Sequence, residues 1–515
     1  MAIVLLGLLL SLTFKHASQL TFSKTSIFIL AVSIIPLAQY VFGKIYFFGT
    51  AIIGFAYVFG FFLCVLLGEF SERVKKNYVL DIVFAAFIIG SVASVGLQLQ
   101  QWLGLEINPM VNMGGGGGRP YANLGQPNQL GTLLLIGITA VAWFRHRKVL
   151  GAYPSFLLIV LIVFGMVLTQ SRTALVGLLI LTVFTHRSLH LINHICLRRV
   201  FLIASVAYIV VFALFYIGPK LIISDGSYNS IYSRIESSID ISSSSTHRLA
   251  IWKASVLAIT KEPLLGFGWN QSLSAHLSVL KEEFKDNGII YYSHNIFLDV
   301  LIWCGLPLGL FIIITSAIWF YGRYKSGLSE GRAFALCGII PFLNHSLLEQ
   351  PYAYAYILLP VGVLTGVYFF DDKSASCNNN VKKHYATALL TGAISLTIGL
   401  FHDMAKINEE YQRLLYKEMN IIAAPPSTPN VFFLDQWQSY IGLIIENDQH
   451  LTTADREREL RKLTETIATP AAYWKLAKIY VLMNKRDEYE KTLLTMCNIF
   501  PTRVCNAVSK VRFEN

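Results

Sequence analysis

The chain has 515 residues, of which 54% are hydrophobic and only 14% are charged, and its mean hydropathy is +0.53. A soluble protein has roughly 25% charged residues, so this composition excludes an ordinary water-soluble chain. The formal net charge of +11 does not indicate nucleic-acid binding, because the basic residues lie in short loops between apolar runs, as they do in membrane proteins.

Long apolar runs are the main feature of the sequence. A membrane-spanning helix needs about 20 mostly apolar residues, and twelve runs meet or approach that length. We therefore predict an all-α fold, a polytopic transmembrane helical bundle with about 12 spans. The predicted spans are 2–14, 26–43, 45–68, 79–99, 128–144, 150–168, 173–185, 200–217, 294–321, 332–348, 353–370 and 385–401. The first run lacks the basic start of a secretory signal, which favours a marginal helix over a cleaved peptide.

Lysine and arginine mark the loops that we predict to be cytoplasmic. These residues are Arg73, Lys75, Lys76, Arg145, Arg147, Lys148, Arg187, Arg198, Arg199, Arg323, Lys325, Arg332, Lys373, Lys382 and Lys383. Alternation of the spans then places 100–127, 218–293, 349–352 and the chain after about 402 on the opposite face. The 218–293 loop has seven basic and seven acidic residues, a balance that suits the translocated side.

The tail from 402 to 515 is polar, charged and helix-favouring. We predict a soluble helical domain there, following a transmembrane domain over 1–401 that includes the 218–293 loop. Within 471–501, the spacing of aromatic and small residues is similar to one tetratricopeptide helix pair. A small helical bundle of no particular family is the alternative.

The seven cysteines are scattered along the chain. Only Cys497 and Cys505 lie close together in a polar segment, where they could pair if the segment faces an oxidising compartment. No metal-ligand spacing is visible, and we predict no metal and no other cofactor.

The first candidate site is the segment GGGGGRPYANLGQPNQ, residues 114–129. No Gly-Lys-Ser/Thr follows the glycines, which argues against a nucleotide-binding loop and favours a flexible external loop for the glycines themselves. Side-chain amides then lead into an apolar helix whose first turn contains Pro127. Amides at a helix N-terminus can hold anionic or hydroxyl-rich ligands. We therefore predict that Asn123, Gln126 and Asn128 bind substrate.

Arg172 lies in a very short turn between two apolar runs, on the predicted outer face. An arginine that anchors the helix at the lipid surface is the alternative. The positive-inside rule makes an outer-face arginine in a tight hairpin less expected, so we predict a functional role for it.

Arg248 stands at the start of a predicted amphipathic helix that lies near the membrane surface. A cation at a helix N-terminus is disfavoured unless an anion is present, which favours an anionic ligand. A salt bridge to Glu236 or Asp240 is the alternative. The apolar residues of this helix follow helical spacing: Leu249, Trp252, Val256 and Ile259. We include Trp252 in the predicted substrate-binding set.

His294 opens another apolar run, with Asn295 beside it, directly after the 218–293 loop. Imidazole is the side chain that exchanges protons near neutral pH, so His294 is a candidate catalytic residue. A helix cap or an interfacial polar group is the alternative. Asp299, five residues later, could orient a neighbour or mark a polar cavity.

Glu349 follows the segment Asn344-His345-Ser346 at the outer end of a predicted span. An interfacial aromatic belt explains the tyrosines that come after it. It does not explain Glu349, which adds an acid to the predicted active face.

Two arginines, one or two histidines and several amides thus converge on the outer face. Arginine forks match diphosphate oxygens, and a histidine could take a proton from a hydroxyl group. This combination favours transfer of a group from a lipid diphosphate to an alcohol, although the spacing does not identify the group.

The motifs that carry these residues resemble a known family. GRPYANLGQPNQL (118–130) resembles the signature of bacterial O-linked protein oligosaccharyltransferases, the pilin-glycosylating ligases. Residues 171–175, 246–269 and 293–309 resemble the wider superfamily of O-antigen ligases and polymerases. Residues 345–362 and the tail resemble the oligosaccharyltransferase branch. The similarity covers most of the chain from about 100 onward.

This resemblance implies transfer of a preassembled glycan from undecaprenyl diphosphate to Ser or Thr of a periplasmic or pilin protein, at the periplasmic face of the bacterial inner membrane. It implies neither a nucleotide nor an essential metal. By motif, Arg172 and Arg248 would bind the diphosphate and His294 would be catalytic. The supporting residues would be Gln126, Asn128, Asn295 and Glu349. The five-glycine run is longer than the family pattern, which leaves the shape of that loop open.

Other interpretations remain open. An enzyme of the same superfamily could join glycan to lipid A core or to another glycan. A transporter could move lipid-linked glycans without forming bonds, although transporters often contain inverted repeats and none is visible. The tail could serve mainly to dock an acceptor protein or a partner enzyme.

Overall fold

The computed structural model describes residues 22–105, 119–187, 195–214, 241–280, 288–371, 383–419, 421, 424–501 and 504–505. Across these ranges the fold consists of α-helices with two short 3-10 helices and no strand, so the predicted all-α class is confirmed.

We number the α-helices in chain order. They are α1 (Lys24–Val41), α2 (Phe48–Val74), α3 (Tyr78–Leu103), α4 (Pro127–His146), α5 (Ala152–Thr169), α6 (Arg172–Arg187), α7 (Ile195–Phe212), α8 (Ile241–Lys261), α9 (Ser272–Ser278), α10 (Ile296–Lys325), α11 (Glu330–Ser346), α12 (Ala355–Phe369), α13 (Lys383–Glu418), α14 (Asp435–Ile445), α15 (Ala454–Thr466), α16 (Pro470–Leu482) and α17 (Arg486–Ile499).

Eight of the described helices are long and apolar enough to cross a membrane, namely α1–α5, α7, α10 and α13. Helices α6, α11 and α12 also match predicted spans, but they have only 16, 17 and 15 residues. The predicted run 2–14 lies outside the described residues. The protein is therefore a multi-pass membrane protein, and the predicted count of about 12 spans is not reached within the described ranges.

The described chain forms two compact units. The first contains residues 22–27, 60–105, 119–187, 195–214, 241–244 and 316–371. Its core is a single apolar cluster from α2–α7, α11 and α12. Small residues allow close helix contact there, because a Cβ at Gly366 would overlap the Val65 carbonyl of α2.

The second unit contains residues 28–59, 245–280, 288–315, 383–419, 421, 424–501 and 504–505. One apolar cluster joins the tail helices to α9 and to the start of α2, with Leu273 and Phe47 packed among tail residues such as Leu476. Helix α13 continues through residues 401 and 402, and the predicted division of the chain at that point stays a prediction.

Hydrogen bonds between residues far apart in the sequence connect the tail to α2 within this unit. Asp435 accepts hydrogen bonds from the backbone N–H groups of Phe48 (3.0 Å) and Gly49 (2.7 Å), so it caps the N-terminus of α2. Cys497 and Cys505 are joined by a disulfide bond. Helices α16 and α17 form a helix pair over the segment with tetratricopeptide-like spacing, and membership of that repeat family stays a prediction.

We predict that Asp435→Ala destabilises the protein by about 1–2 kcal/mol, because two N–H groups at the start of α2 lose their acceptor. The apparent melting temperature in detergent micelles should fall. Asp487→Ala is the matched control, since Asp487 is an exposed aspartate in the first turn of α17. An equal effect of both substitutions would contradict the capping role.

Candidate active site

Glu349 is the centre of a polar cluster in the first unit. Its side chain is only 5% exposed. Its Oε1 accepts a hydrogen bond from Asn128 Nδ2 (3.2 Å) and its Oε2 accepts one from Gln126 Nε2 (3.4 Å). The structure therefore brings these three predicted site residues into direct contact, and we call them the Glu349 cluster.

Two helix ends create this cluster. Helix α4 begins at Pro127, with Gln126 in an extended conformation before it. Helix α11 ends at Ser346, and the Glu349 N–H donates to the His345 carbonyl (2.9 Å), which continues the turn. As the sequence predicts, a proline in the first turn fixes the helix start and places the amides there.

Asn128 also connects α4 to the start of α6. Its Oδ1 accepts hydrogen bonds from Ser171 Oγ (2.7 Å) and Arg119 Nη2 (3.2 Å). Ser171 Oγ in turn accepts from the Ala174 N–H (3.1 Å), so Ser171 caps α6. Arg119 Nε donates to the Thr169 carbonyl (2.8 Å) on the other side of the same turn.

Arg172 is the first residue of α6 and its side chain is exposed. The predicted short turn before it is confirmed. A guanidinium group beside the positive end of a helix dipole favours a bound anion. Asn123, by contrast, is exposed and accepts from Ser94 Oγ (3.2 Å), which is not a member of the Glu349 cluster.

Sequence reasoning did not select Arg119 or Ser171. Arg119 stands at the start of the first motif, so a cation next to several amides was the available signal. Ser171 precedes Arg172 directly, and a serine before an apolar helix is a common N-cap.

In the second unit, His294 lies two residues before α10 and is half-buried. Its backbone φ is 58°, in the left-handed region. Asn295 Oδ1 accepts from the N–H groups of Phe297 (3.0 Å) and Leu298 (3.3 Å). Asn295 was predicted as a site residue, and the contacts that the structure gives it are those of a helix N-cap.

Trp252 contacts the same turn. Its Nε1 donates to the Ser293 carbonyl (3.1 Å), so the predicted amphipathic helix holds the peptide bond that joins Ser293 to His294. These contacts support a positioning role for Trp252.

The predicted location of Arg248 at a helix start is wrong. Helix α8 begins at Ile241, seven residues earlier, because the run of serines at 242–245 is helical. The helix dipole acts mainly within the first turn, so it gives no reason for an anion at Arg248. Arg248 is half-buried, one turn before Trp252. The alternative partners Glu236 and Asp240 lie outside the described residues.

A second imidazole, which the sequence did not single out, lies near His294. His276 of α9 is 4% exposed and its Nε2 is 3.0 Å from Ser255 Oγ. Burial lowers the pKa of His276 to about 4, and the charge of His294 acts in the same direction, whereas nearby backbone groups oppose it. Because its pKa is this low, His276 is neutral at physiological pH.

Within the described ranges, no group of three or more His, Cys, Asp or Glu side chains is arranged to hold a metal ion.

Comparison with protein families matches three regions of the chain. Residues 157–314 match the O-antigen ligase family, and residues 120–144 match the protein glycosylation ligase family. Residues 333–512 match the C-terminal region of the virulence factor membrane-bound polymerase family. The chain thus carries O-antigen ligase and protein glycosylation ligase domains, and the resemblance predicted from its motifs is confirmed.

Two relatives narrow this class. The chain is 28% identical over 479 residues to the general O-oligosaccharyltransferase of Acinetobacter baylyi, with 90% of this chain and 80% of the relative aligned. It is 29% identical over 419 residues to the ComP-specific O-oligosaccharyltransferase of the same organism, with 80% and 74% aligned. The chain is homologous to O-oligosaccharyltransferases, which supports O-linked transfer of glycan to protein.

We predict that Asn128→Asp lowers glycan transfer about tenfold or more. The substitution places a second carboxylate beside Glu349 and removes the amide N–H group that donates a hydrogen bond to Glu349. Transfer should be measured with membranes that contain equal amounts of each variant. Asn484→Asp, an exposed site in the tail, is the control for the same chemical change and should stay within twofold. Normal transfer by Asn128→Asp would show that the Glu349 cluster is not needed.

Proposed function

We propose that this protein transfers a preassembled oligosaccharide from undecaprenyl diphosphate to Ser or Thr hydroxyls of periplasmic or pilin proteins. The observation that carries the proposal is the protein glycosylation ligase match at 120–144. That match contains the start of α4, and therefore two members of the Glu349 cluster, Gln126 and Asn128.

We assign binding of the donor diphosphate to Arg172 and Arg248. Exposure at the first residue of a helix favours Arg172 as a ligand for phosphate oxygens. As the glycosidic C–O bond breaks, negative charge develops on the departing undecaprenyl diphosphate. Fixed guanidinium groups stabilise that charge without reorganisation, and this favours the transition state.

We assign deprotonation of the acceptor hydroxyl to His294. The hydroxyl oxygen attacks the anomeric carbon, its proton passes to the imidazole, and the diphosphate leaves with the bonding electron pair. Direct displacement of this kind inverts the anomeric configuration. Asn123, Gln126, Asn128 and Glu349 are assigned to the polar groups of the donor glycan, and the reaction uses no metal ion.

The reaction is proposed to occur at the periplasmic face of the bacterial inner membrane. Two observations support this orientation. Lysine and arginine concentrate in alternate loops between the predicted spans, and the positive-inside rule assigns those loops to the cytoplasm. The disulfide bond between Cys497 and Cys505 in the tail is of a type that persists in oxidising compartments.

A second candidate function is the joining of glycan to another glycan or to lipid A core. The match of residues 333–512 to a membrane-bound polymerase family favours it. A transporter of lipid-linked glycans is the alternative from another class. The three candidates differ in product: a glycoprotein, an altered lipopolysaccharide, or no new bond.

We predict that His294→Ala abolishes protein glycosylation, with a loss on the order of a hundredfold or more, because the proton acceptor is removed. Mass spectrometry of periplasmic and pilin peptides should compare cells that have the intact protein, a deletion, Arg248→Ala and His294→Ala. His450→Ala, an exposed histidine of the tail, is the matched control. Glycopeptides should disappear in the deletion, Arg248→Ala and His294→Ala cells while their lipopolysaccharide stays normal, and His450→Ala cells should keep the glycopeptides. Unchanged glycopeptides with altered lipopolysaccharide would instead assign the protein to the ligase or polymerase branch.

We predict that Arg172→Gln raises the KM for the lipid-linked donor by roughly tenfold or more, since charge-assisted hydrogen bonds to phosphate are lost. Arg172→Lys should recover part of the loss, because it restores the charge without the fork. Arg187→Gln at the opposite end of α6 is the matched control, and its side chain is also exposed. A change in acceptor KM alone would contradict donor binding by Arg172.

A further inference from the structure

Ser293, the residue before His294, is held at both ends of its backbone. Its N–H donates to Asp299 Oδ1 (2.9 Å), and its carbonyl accepts from Trp252 Nε1 (3.1 Å). Its hydroxyl donates to the Asn295 carbonyl (2.9 Å) and accepts from the Asn295 N–H (3.3 Å). The backbone on either side of His294 is therefore fixed by four hydrogen bonds.

The conformation of His294 requires such support. Its φ of 58° lies in a region that residues with a Cβ seldom adopt. A left-handed residue of this type persists only where its surroundings determine the backbone on both sides. The direction of the His294 Cα–Cβ bond follows from that backbone, so whatever holds Ser293 also sets the position from which the ring projects.

Asp299 is the buried anchor of this arrangement. The residue is fully buried on the first turn of α10. The oxygen that accepts the Ser293 N–H also accepts Ser272 Oγ–H (2.8 Å). Ser272 Oγ in turn accepts from Trp303 Nε1 (2.8 Å). A single carboxylate oxygen of α10 thus holds both the His294 turn and Ser272 of α9, and Trp303 of α10 holds Ser272 a second time.

An ordinary capping role does not explain Asp299. Asn295 already supplies the side-chain oxygen that accepts from the first N–H groups of α10. Asp299 lies inside that helix and reaches back to the N–H of Ser293, outside the helix. A buried carboxylate is costly, and its position here stabilises the turn rather than the helix start.

We propose that Asp299 is a positioning residue for His294 and directs its imidazole toward the acceptor hydroxyl. This inference rests on the proposed role of His294. Asp299 acts through hydrogen-bond acceptance by Oδ1, and its charge is not required for that.

The test compares three substitutions in purified protein with a lipid-linked donor and an acceptor peptide. Asp299→Asn keeps the size and one acceptor oxygen for Ser293 and Ser272. Asp299→Leu keeps a similar size but removes both hydrogen bonds. Val300→Ala, at the next buried position of α10, reports the effect of lost packing alone.

We predict that Asp299→Leu lowers kcat on the order of a hundredfold, the effect of misplacing a catalytic group by about 1 Å, with the donor KM within threefold of the intact protein. Asp299→Asn should keep at least about one third of the original kcat, and Val300→Ala should do the same. Equal loss in Asp299→Asn and Asp299→Leu, or a rise in donor KM without a fall in kcat, would overturn the proposal.

A second measurement does not depend on activity. The rate at which diethyl pyrocarbonate modifies His294, measured by peptide mass spectrometry, should change in Asp299→Leu and stay close to the original in Asp299→Asn. Buried His276 is the internal reference for intact folding. An unchanged rate in Asp299→Leu would overturn the positioning role. If instead the natural acceptor is a glycan or a lipid, the same comparison with that product still tests Asp299, and only the proposed acceptor fails.

Discussion

A carboxylate that is removed from water must be given hydrogen-bond donors, and this requirement fixes the key turns of the protein. Asp299 takes the Ser293 N–H, and Glu349 takes two side-chain amides. Asp403 takes three successive backbone N–H groups just before α14, and the half-buried Asp435 takes two at the start of α2. In each case the segment that supplies the donors is held against the segment that carries the acid, which is a helix for the three aspartates and the turn after α11 for Glu349.

This constraint gives the tail a structural role in the second unit. Asp403 and Asp435 join the tail to α13 and α2, and the tail shares its apolar core with Leu273 of α9. The neighbouring residue, Ser272, bonds Asp299 and therefore lies one step from the turn that carries His294. The tail therefore packs against the helix whose Ser272 bonds the anchor of the His294 turn.

The sequence predicted the helices well because hydropathy reports burial in lipid, and it placed Pro127, Arg172 and His294 at helix starts correctly. It failed at Arg248, because a run of serines is typical of a loop but is helical in α8. It also could not identify the partner of Asn128. That partner, Glu349, is 221 positions away, and a contact of this length depends on how helices pack, which local patterns do not record.

Helix starts have a further consequence for the proposed chemistry. In a lipid-spanning bundle, backbone N–H groups inside the apolar layer must be satisfied within the helix, so helix ends are the places where polar groups meet water. Ser171 and Asn295 cap α6 and α10, and the caps make the adjoining backbone rigid. Arg172 and His294 stand directly beside these caps, where the backbone is fixed but the side chain is not enclosed in the helix packing. A reaction between a lipid-borne anion and a hydroxyl group at the membrane surface requires groups held in this way, since charge stabilisation depends on donors that are oriented before the substrate arrives.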